Sequence, residues 1–107
     1  MVFLQGQTGL KLDGGGFVGK GDPAAQAETA MENVAVLLRE AGARMEDICK
    51  MTTYVTEQSY RAQVYPVIAR HLQGVDPVST GLVVKELAEP YIDFEIDVFA
   101  VVPADRA

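Results

Sequence analysis

The segment "DPAAQAETAMENVAVLLREAG", residues 22–42, carries the strongest fold signal in the chain. Asp22 has the side chain of a helix N-cap, and Pro23 suits the first helical position because its missing N–H would have no helical partner there. Apolar residues recur at helical spacing at Ala27, Met31, Val34, Leu38 and Ala41. The pattern ends at Gly42 and predicts an amphipathic helix with one face turned to a core.

Strand patterns lie on both sides of this helix. Alternating apolar residues or β-branched runs predict strands over residues 2–8, 48–56, 79–87 and 91–102. The glycine-rich residues 13–21 predict turns, with a short second strand near residues 9–12 or Phe17. The order of elements therefore begins with strand and hairpin before the first helix.

A second helix is predicted within residues 57–74, with Tyr60, Val64, Val67, Ile68 and Leu72 turned inward. Pro66 interrupts it, because proline in a helix interior costs about 3 kcal/mol. The regular helix is therefore expected to begin near Val64 or Tyr65.

Residues 1–107 are expected to form one α+β domain, because this length supports a single core. The alternation of strands and helices predicts a mixed sheet with both helices packed on one face. Strands such as "GLVV" and "VFAVV" are apolar on both sides, so the helix-free face also needs a cover. Another subunit is the expected cover.

The net charge is -6 and only nine cationic residues are scattered through the chain, which argues against nucleic acid as a partner. No apolar run approaches the ~20 residues of a membrane-spanning helix. Cys49 is the only cysteine and His71 the only histidine, so neither a disulfide nor a metal site is expected. These features predict a cytoplasmic protein, with Cys49 as an ordinary core residue.

The last strand predicts a row of carboxylates. Side chains alternate along a strand, so Asp93, Glu95 and Asp97 share one face while the apolar residues between them share the other. If that face is partly buried, the carboxylates raise each other's pKa and one can serve as a general acid or base. The alternative interpretation is a solvated strand face.

The stretch "DPVSTGLVV", residues 76–84, is a second candidate site. Ser79 and Thr80 offer hydroxyl groups, and Gly81 permits close approach to the backbone, so the stretch can bind a carboxylate or carbonyl. The alternative is that these small residues only fit a crowded interface. A weaker signal is "LQGQTG", whose glutamines, including Gln7, can hydrogen-bond a ligand or a neighbouring chain.

These segments in this order resemble the RidA/YjgF family of small trimeric proteins. The similarity covers essentially the whole chain and rests on "FLQGQTG", on the Gln-x-x-x-(Ala/Thr)-x-x-Asn-(Val/Ile) helix in residues 21–43, on residues 47–72 and on the closing strand "EIDVFAVV". The resemblance implies a chorismate-mutase-like fold, a homotrimer and sites in clefts between subunits. It also implies hydrolysis of small enamines or imines to 2-oxo acids and ammonia, without metal or organic cofactor.

The resemblance also implies site residues and departures from the family pattern. Aligning Pro77 and Leu87 places Ser79 where the family has a carboxylate-binding arginine, and Glu95 at the glutamate that handles the attacking water. Gly81 falls where many members have cysteine. The chain also opens in the family's second strand, so the first strand with its pocket tyrosine is expected to be absent.

The predicted protein is a divergent family member that acts as a hydrolase or deaminase on a small metabolite. Glu95 would be catalytic, Ser79, Thr80 and Gly81 would bind the substrate, and Gln7 and Tyr65 would line the pocket. Arg61, Arg70 and Lys85 are the candidate replacement cations, with both arginines expected to face solvent. The alternative function is a non-enzymatic trimer that binds a metabolite or regulates a partner.

Overall fold

A computed structural model describes residues 1–106. These residues form two α-helices and four β-strands, with short 3-10 turns before β2, before α2 and after the last strand. In chain order these elements are β1 (Val2–Phe3), α1 (Pro23–Glu40), β2 (Ile48–Val55), α2 (Arg61–Leu72), β3 (Val78–Val83) and β4 (Phe94–Ala100).

The four strands form one sheet in the order β1-β4-β2-β3. Strands β2 and β3 run parallel and are connected through α2, whereas β4 is antiparallel to both of its neighbours. Thr53 in the central strand pairs with Gly81 on one side and Ile96 on the other. The predicted mixed sheet is confirmed, and β3 is an edge strand within this chain.

Both helices cover the same face of the sheet. Helix α1 packs against β4 and α2, and the side chains of Phe94, Ile96 and Val98 are fully or almost fully buried beneath them. From the helices, Met31, Leu38, Val64, Val67, Ile68 and Leu72 enter the same core. Burying this apolar surface is the main term that stabilises the fold.

Helix α1 begins and ends close to the predicted positions. Asp22 Oδ1 accepts the Ala25 N–H at 3.2 Å, as an N-cap should, and Pro23 is the first helical residue. Gly42 follows the C-cap with φ of 80°, a conformation that glycine adopts without a Cβ clash. Ala41 is exposed, so the buried stripe stops at Leu38.

Helix α2 begins at Arg61, so the later start expected from Pro66 is wrong. A 3-10 turn at Gln58–Tyr60 leads into the helix, and Pro66 lies on its exposed side. The carbonyl that loses its helical donor is that of Ala62, four residues earlier, and this residue is also exposed. The exposed position of Ala62 leaves its carbonyl open to solvent, so Pro66 is tolerated at this point of the helix.

Cys49 is exposed, and its prediction as a core residue is wrong. The pairing of β2 with β4 shifts register between Ile48 and Lys50, so Cys49 is the extra residue of a bulge. Its Sγ lies 3.4 Å from the carbonyl oxygen of Phe99. Strict alternation resumes after the bulge, where Thr53 and Val55 are buried.

The sheet face opposite the helices, hereafter the open face, is uncovered in this chain. Four apolar side chains on it are exposed, namely Phe3, Val78, Leu82 and Phe99, and the rings of Phe3 and Phe99 meet edge to face at 5.0 Å. Strand β1 covers only Val2–Phe3 of the predicted residues 2–8, with one further bridge between Gln7 and Ile96. Neither helix in residues 1–106 is long and apolar enough to cross a membrane.

Candidate functional site

Two carboxylates, rather than the predicted three, lie together on the open face. Glu95 and Asp97 project from β4 between residues that enter the core. Asp93 precedes the strand, and its Oδ1 accepts the Thr56 hydroxyl at 3.0 Å while its N–H donates to Gln26 Oε1 at 2.8 Å. Asp93 therefore anchors the start of β4.

Glu95 and Asp97 have different surroundings on the open face. Asp97 Oδ2 accepts the hydroxyl of Tyr54 at 2.7 Å, and this bond raises the pKa of Tyr54 above its ordinary value. Partial burial raises the pKa of Glu95, and the neighbouring charge of Asp97 raises it further. Glu95 thus has the environment of a carboxyl group that exchanges protons, while Asp97 is held by Tyr54.

Gly6 closes over this pair of carboxylates. A Cβ atom at Gly6 would lie 2.3 Å from Glu95 Oε2 and 2.8 Å from Asp97 Oδ1. Any larger residue at position 6 would force these carboxylate groups to move, so glycine lets the chain pass close to Glu95 as it stands. The sequence carried no signal for this contact, because Gly6 and Glu95 are far apart in the chain.

Glu95→Gln is expected to stabilise the fold at neutral pH. The folded protein holds the proton of Glu95 more tightly than the unfolded chain, so wild-type stability falls as pH rises from the ordinary value near 4.5 to the folded pKa. Glutamine does not titrate, so the advantage of the variant should grow across this window. Urea unfolding at about pH 3 and about pH 7 measures it.

The exposed Glu86 supplies the control for this prediction. As a substitution at an exposed surface site, Glu86→Gln should change stability by no more than about 0.5 kcal/mol at either pH. A Glu95→Gln difference that stays constant across the pH range would show that Glu95 has an ordinary pKa.

A separate groove lies between α2 and β3, on the helix side of the sheet; we call it the α2–β3 groove. Its volume is about 700 Å³. Its lining includes the polar side chains of Arg61, Tyr65 and Ser79 and the backbone of Gly81. A Cβ at Gly81 would lie 2.4 Å from the Tyr65 hydroxyl oxygen. The predicted residues Ser79, Gly81 and Tyr65 are thus brought together.

Arg61 is exposed, as expected, but it also lines this groove. Its Nε donates to the Tyr65 hydroxyl at 3.0 Å, and its guanidinium carbon lies 5.1 Å from the centre of the tyrosine ring. Arg70 instead forms an ion pair with Glu28 of α1. Of the three cations considered from the sequence, only Arg61 is a groove residue.

Thr80 does not line the α2–β3 groove together with Ser79 and Gly81. It alternates to the open face, where its Oγ1 accepts a hydrogen bond from Lys50 Nζ at 3.2 Å. Lys50 therefore lies beside the predicted site residue Thr80. The sequence did not identify Lys50 as a site residue. The expectation that Ser79 and Thr80 bind one ligand side by side is therefore not met within this chain, because neighbouring strand residues face opposite ways.

The side chain of Gln7 lies outside the α2–β3 groove and is not bonded to Glu95 or Asp97. Its Nε2 donates to the Gln5 carbonyl at 2.9 Å, and it lines a small cleft formed by its own segment, residues 5–12. Its backbone pairs with Ile96, next to Glu95 in β4. Gln7 thus positions the segment that brings Gly6 over the carboxylates.

Ser79 and Glu95 lie on opposite faces of the sheet. Ser79 pairs with Met51, whereas Glu95 pairs with Tyr54 in the same central strand, so the two side chains are separated by both the sheet and the strand between them. A small ligand bound to one chain cannot touch both. A site that uses both residues needs a second copy of the chain.

Metal-binding geometry is absent from residues 1–106, where no three His, Cys, Asp or Glu residues cluster closely enough to hold an ion. The only histidine, His71, places its Nε2 2.9 Å from Glu28 Oε1. This contact joins the two helices away from the groove.

Comparisons with known proteins give one consistent result. A family model described as endoribonuclease L-PSP matches residues 1–102. A RutC family protein of Pyrococcus abyssi is 29% identical over 86 residues, which cover 80% of this chain and 67% of that protein.

Solved structures agree with the family model. A Mycobacterium tuberculosis protein of the YjgF/YER057c/UK114 family has a TM-score of 0.82 and 30% identity, over 94% of this chain and 77% of that one. The Rid family protein YyfB of Yersinia pestis has a TM-score of 0.85 and 29% identity over the same shares of the two chains.

Proposed function

Because the chain belongs to the endoribonuclease L-PSP family, which includes the RidA/YjgF proteins, we propose that it is a hydrolase or deaminase. Its substrate would be a small enamine, imine or related metabolite, bound at a cleft between subunits. The chorismate-mutase-like fold that the resemblance implied is confirmed by the TM-scores with the family structures.

The observation that carries the proposal is the environment of Glu95. A partly buried carboxyl group with a raised pKa can take a proton from water as the water oxygen attacks the imine carbon. The same group can give that proton to the nitrogen, which forms a carbinolamine. It can then carry the hydroxyl proton of this intermediate to the nitrogen as the carbon–nitrogen bond breaks, so that ammonia leaves and a carbonyl compound remains. The chemistry needs no group beyond water and the carboxyl, because an imine is already an electrophile.

A homotrimer is part of this proposal. The exposed apolar side chains of the open face favour its burial against another copy of the chain. Such packing can bring Glu95 of one subunit to the α2–β3 groove of another, and so unite two halves that one chain keeps apart. The oligomeric state and the site are thus expected to depend on each other.

A small metabolite fits this molecule better than RNA does. The chain carries a net charge of -6, and among the strand residues described on the open face Lys50 is the only basic one. Binding to a phosphate backbone needs a group of cations that releases counterions. We therefore propose a neutral or singly charged small molecule as the ligand.

The proposal predicts turnover of imines generated in solution. An amino acid oxidase would supply carboxylate-bearing imines and an amine oxidase neutral ones, with semicarbazide trapping the imine that remains. The wild-type protein is expected to lower the trapped fraction of at least one class and to speed ammonia release. No acceleration of either class at micromolar protein would rule out the hydrolase.

A non-enzymatic metabolite-binding or regulatory trimer is the alternative. The separation of Ser79 from Glu95 favours it, since a ligand can occupy the groove without meeting the carboxylate. In that case small acids or carbonyl compounds would raise the melting temperature, and the imine assays would show no turnover.

A further inference from the structure

The α2–β3 groove has one apolar side and one polar end. Its apolar lining comes from Met51, Ile68, Ala69, Leu72 and Val75. Its polar lining includes Arg61, Tyr65 and Ser79, with Asp76 as the one acidic residue. Such a surface matches a small molecule with an apolar part and an anionic head, since a cation and hydroxyl donors converge beside apolar walls.

Tyr65 orients the side chain of Arg61. Only its Nε is engaged, by the Tyr65 hydroxyl at 3.0 Å. No carboxylate of residues 1–106 lies within ion-pair distance of this guanidinium, Asp76 included. The two Nη groups therefore present the planar fork that binds a carboxylate with two parallel hydrogen bonds.

Gly81 is what allows Tyr65 to hold Arg61 over the groove. The tyrosine hydroxyl occupies the space in which any larger residue at position 81 would place its Cβ, 2.4 Å from that oxygen. The side chain of Tyr65 thus bridges β3 and Arg61. Arg61 and Tyr65 of α2 and Gly81 of β3 thus form one contact group. The space that Tyr65 needs explains why a glycine lies inside the strand.

We propose that Arg61, held by Tyr65 over Gly81, is the anion-binding residue of this groove, and that the groove takes a small monocarboxylic acid with an apolar tail. The tail would lie against Ile68 and Leu72, and the Ser79 hydroxyl would contact the head group. The inference deepens the proposed function and rests on it for the place where ligand binds. Arg61 of α2 would then supply the cation that β3 lacks at Ser79.

Binding of isovalerate and of its neutral amide, isovaleramide, tests the proposal by isothermal titration or by NMR shift mapping. The assembled wild-type protein should bind the acid more tightly than the amide. Arg61→Gln should weaken acid binding about tenfold, which is the effect of losing a charge-assisted contact at a partly exposed site. Binding of the amide should change less than twofold.

Arg70→Gln is the matched control, because Arg70 lies on the same helix and is paired with Glu28 away from the groove. It should leave both affinities unchanged. Gly81→Ala should weaken acid binding as Arg61→Gln does, since it displaces Tyr65, and Arg61→Lys should retain part of the affinity. Thermal melting of each variant confirms that it is folded.

Equal binding of acid and amide by the wild type would overturn the proposal, as would acid binding that Arg61→Gln leaves intact or no binding of the acid at millimolar concentration. These results are distinct from failure of the proposed function. Arg61-dependent acid binding without imine turnover would refute the hydrolase and leave the anion site. Turnover restricted to neutral imines, with no acid binding, would refute the anion site and leave the hydrolase.

Discussion

Glu95→Gln is expected to lower kcat for imine hydrolysis about a hundredfold or more, the range that one general acid–base group contributes. Glutamine keeps the size of the side chain and its contact with Gly6, but it cannot take a proton from water. Because Arg61 and not Glu95 is proposed to bind the anionic head in the α2–β3 groove, loss of the Glu95 charge should not weaken the affinity for groove ligands. The loss should therefore appear in kcat and not in Kd.

Steady-state kinetics with the trapped-imine assay measure this effect, with isovalerate binding as the second readout. Glu86→Gln, on an exposed residue after β3, is the control and should match the wild type. A Glu95→Gln variant that retains more than half of the wild-type kcat would remove Glu95 from the mechanism. Because the same variant is expected to be more stable at neutral pH, a loss of activity could not be assigned to unfolding.

Gln26→Leu is expected to lower the free energy of unfolding by about 3 kcal/mol, because four backbone groups, most of them partly buried, lose their hydrogen-bond partner at once. Gln26 is fully buried in α1. Its Oε1 accepts the N–H groups of Asp93 and Phe94 at 2.8 and 3.2 Å, and its Nε2 donates to the carbonyls of Gly19 and Tyr91 at 3.0 and 3.2 Å. Leucine satisfies none of these groups.

Urea unfolding at a fixed protein concentration measures the loss, because assembly makes apparent stability depend on concentration. Gln63→Leu, on an exposed residue of α2, should change stability by no more than about 0.5 kcal/mol. A loss below about 1 kcal/mol for Gln26→Leu would show that water replaces the amide. Such an outcome would mean that Gln26 is not what fixes the start of β4, the strand that carries Glu95.

The helices and strands were largely predictable because their signals are local. The N-cap at Asp22, the stripe along α1 and the alternation in β4 each depend on residues a few positions apart, and each is confirmed. The predictions were wrong where exposure or strand pairing, which depend on the whole fold, overrides a local sequence rule. Pro66 is tolerated because its side of α2 is exposed, and the bulge at Cys49 follows from pairing with β4, which the sequence of β2 does not contain.

The candidate site was predictable only in part, for the same reason. Glu95 could be identified from alternation and from the resemblance, but its contact with Gly6 joins segments about ninety residues apart. Thr80 was grouped with Ser79 by adjacency, although a strand sends neighbours to opposite faces. Lys50 gave no signal as a site residue, and Arg61 was only one of three candidate cations, since a single cation on a strand or helix is usually a solvated surface group.

The sequence by itself determined the family, the mixed α+β fold and the face of most strand residues, because periodicity and capping act over one or two turns of chain. The tertiary structure decided which of those residues meet. It placed Arg61 over the groove through Tyr65 and Gly81, and it set Glu95 on the opposite face beneath Gly6. Such contacts depend on how helices and strands pack in three dimensions, and no spacing along the chain encodes that packing.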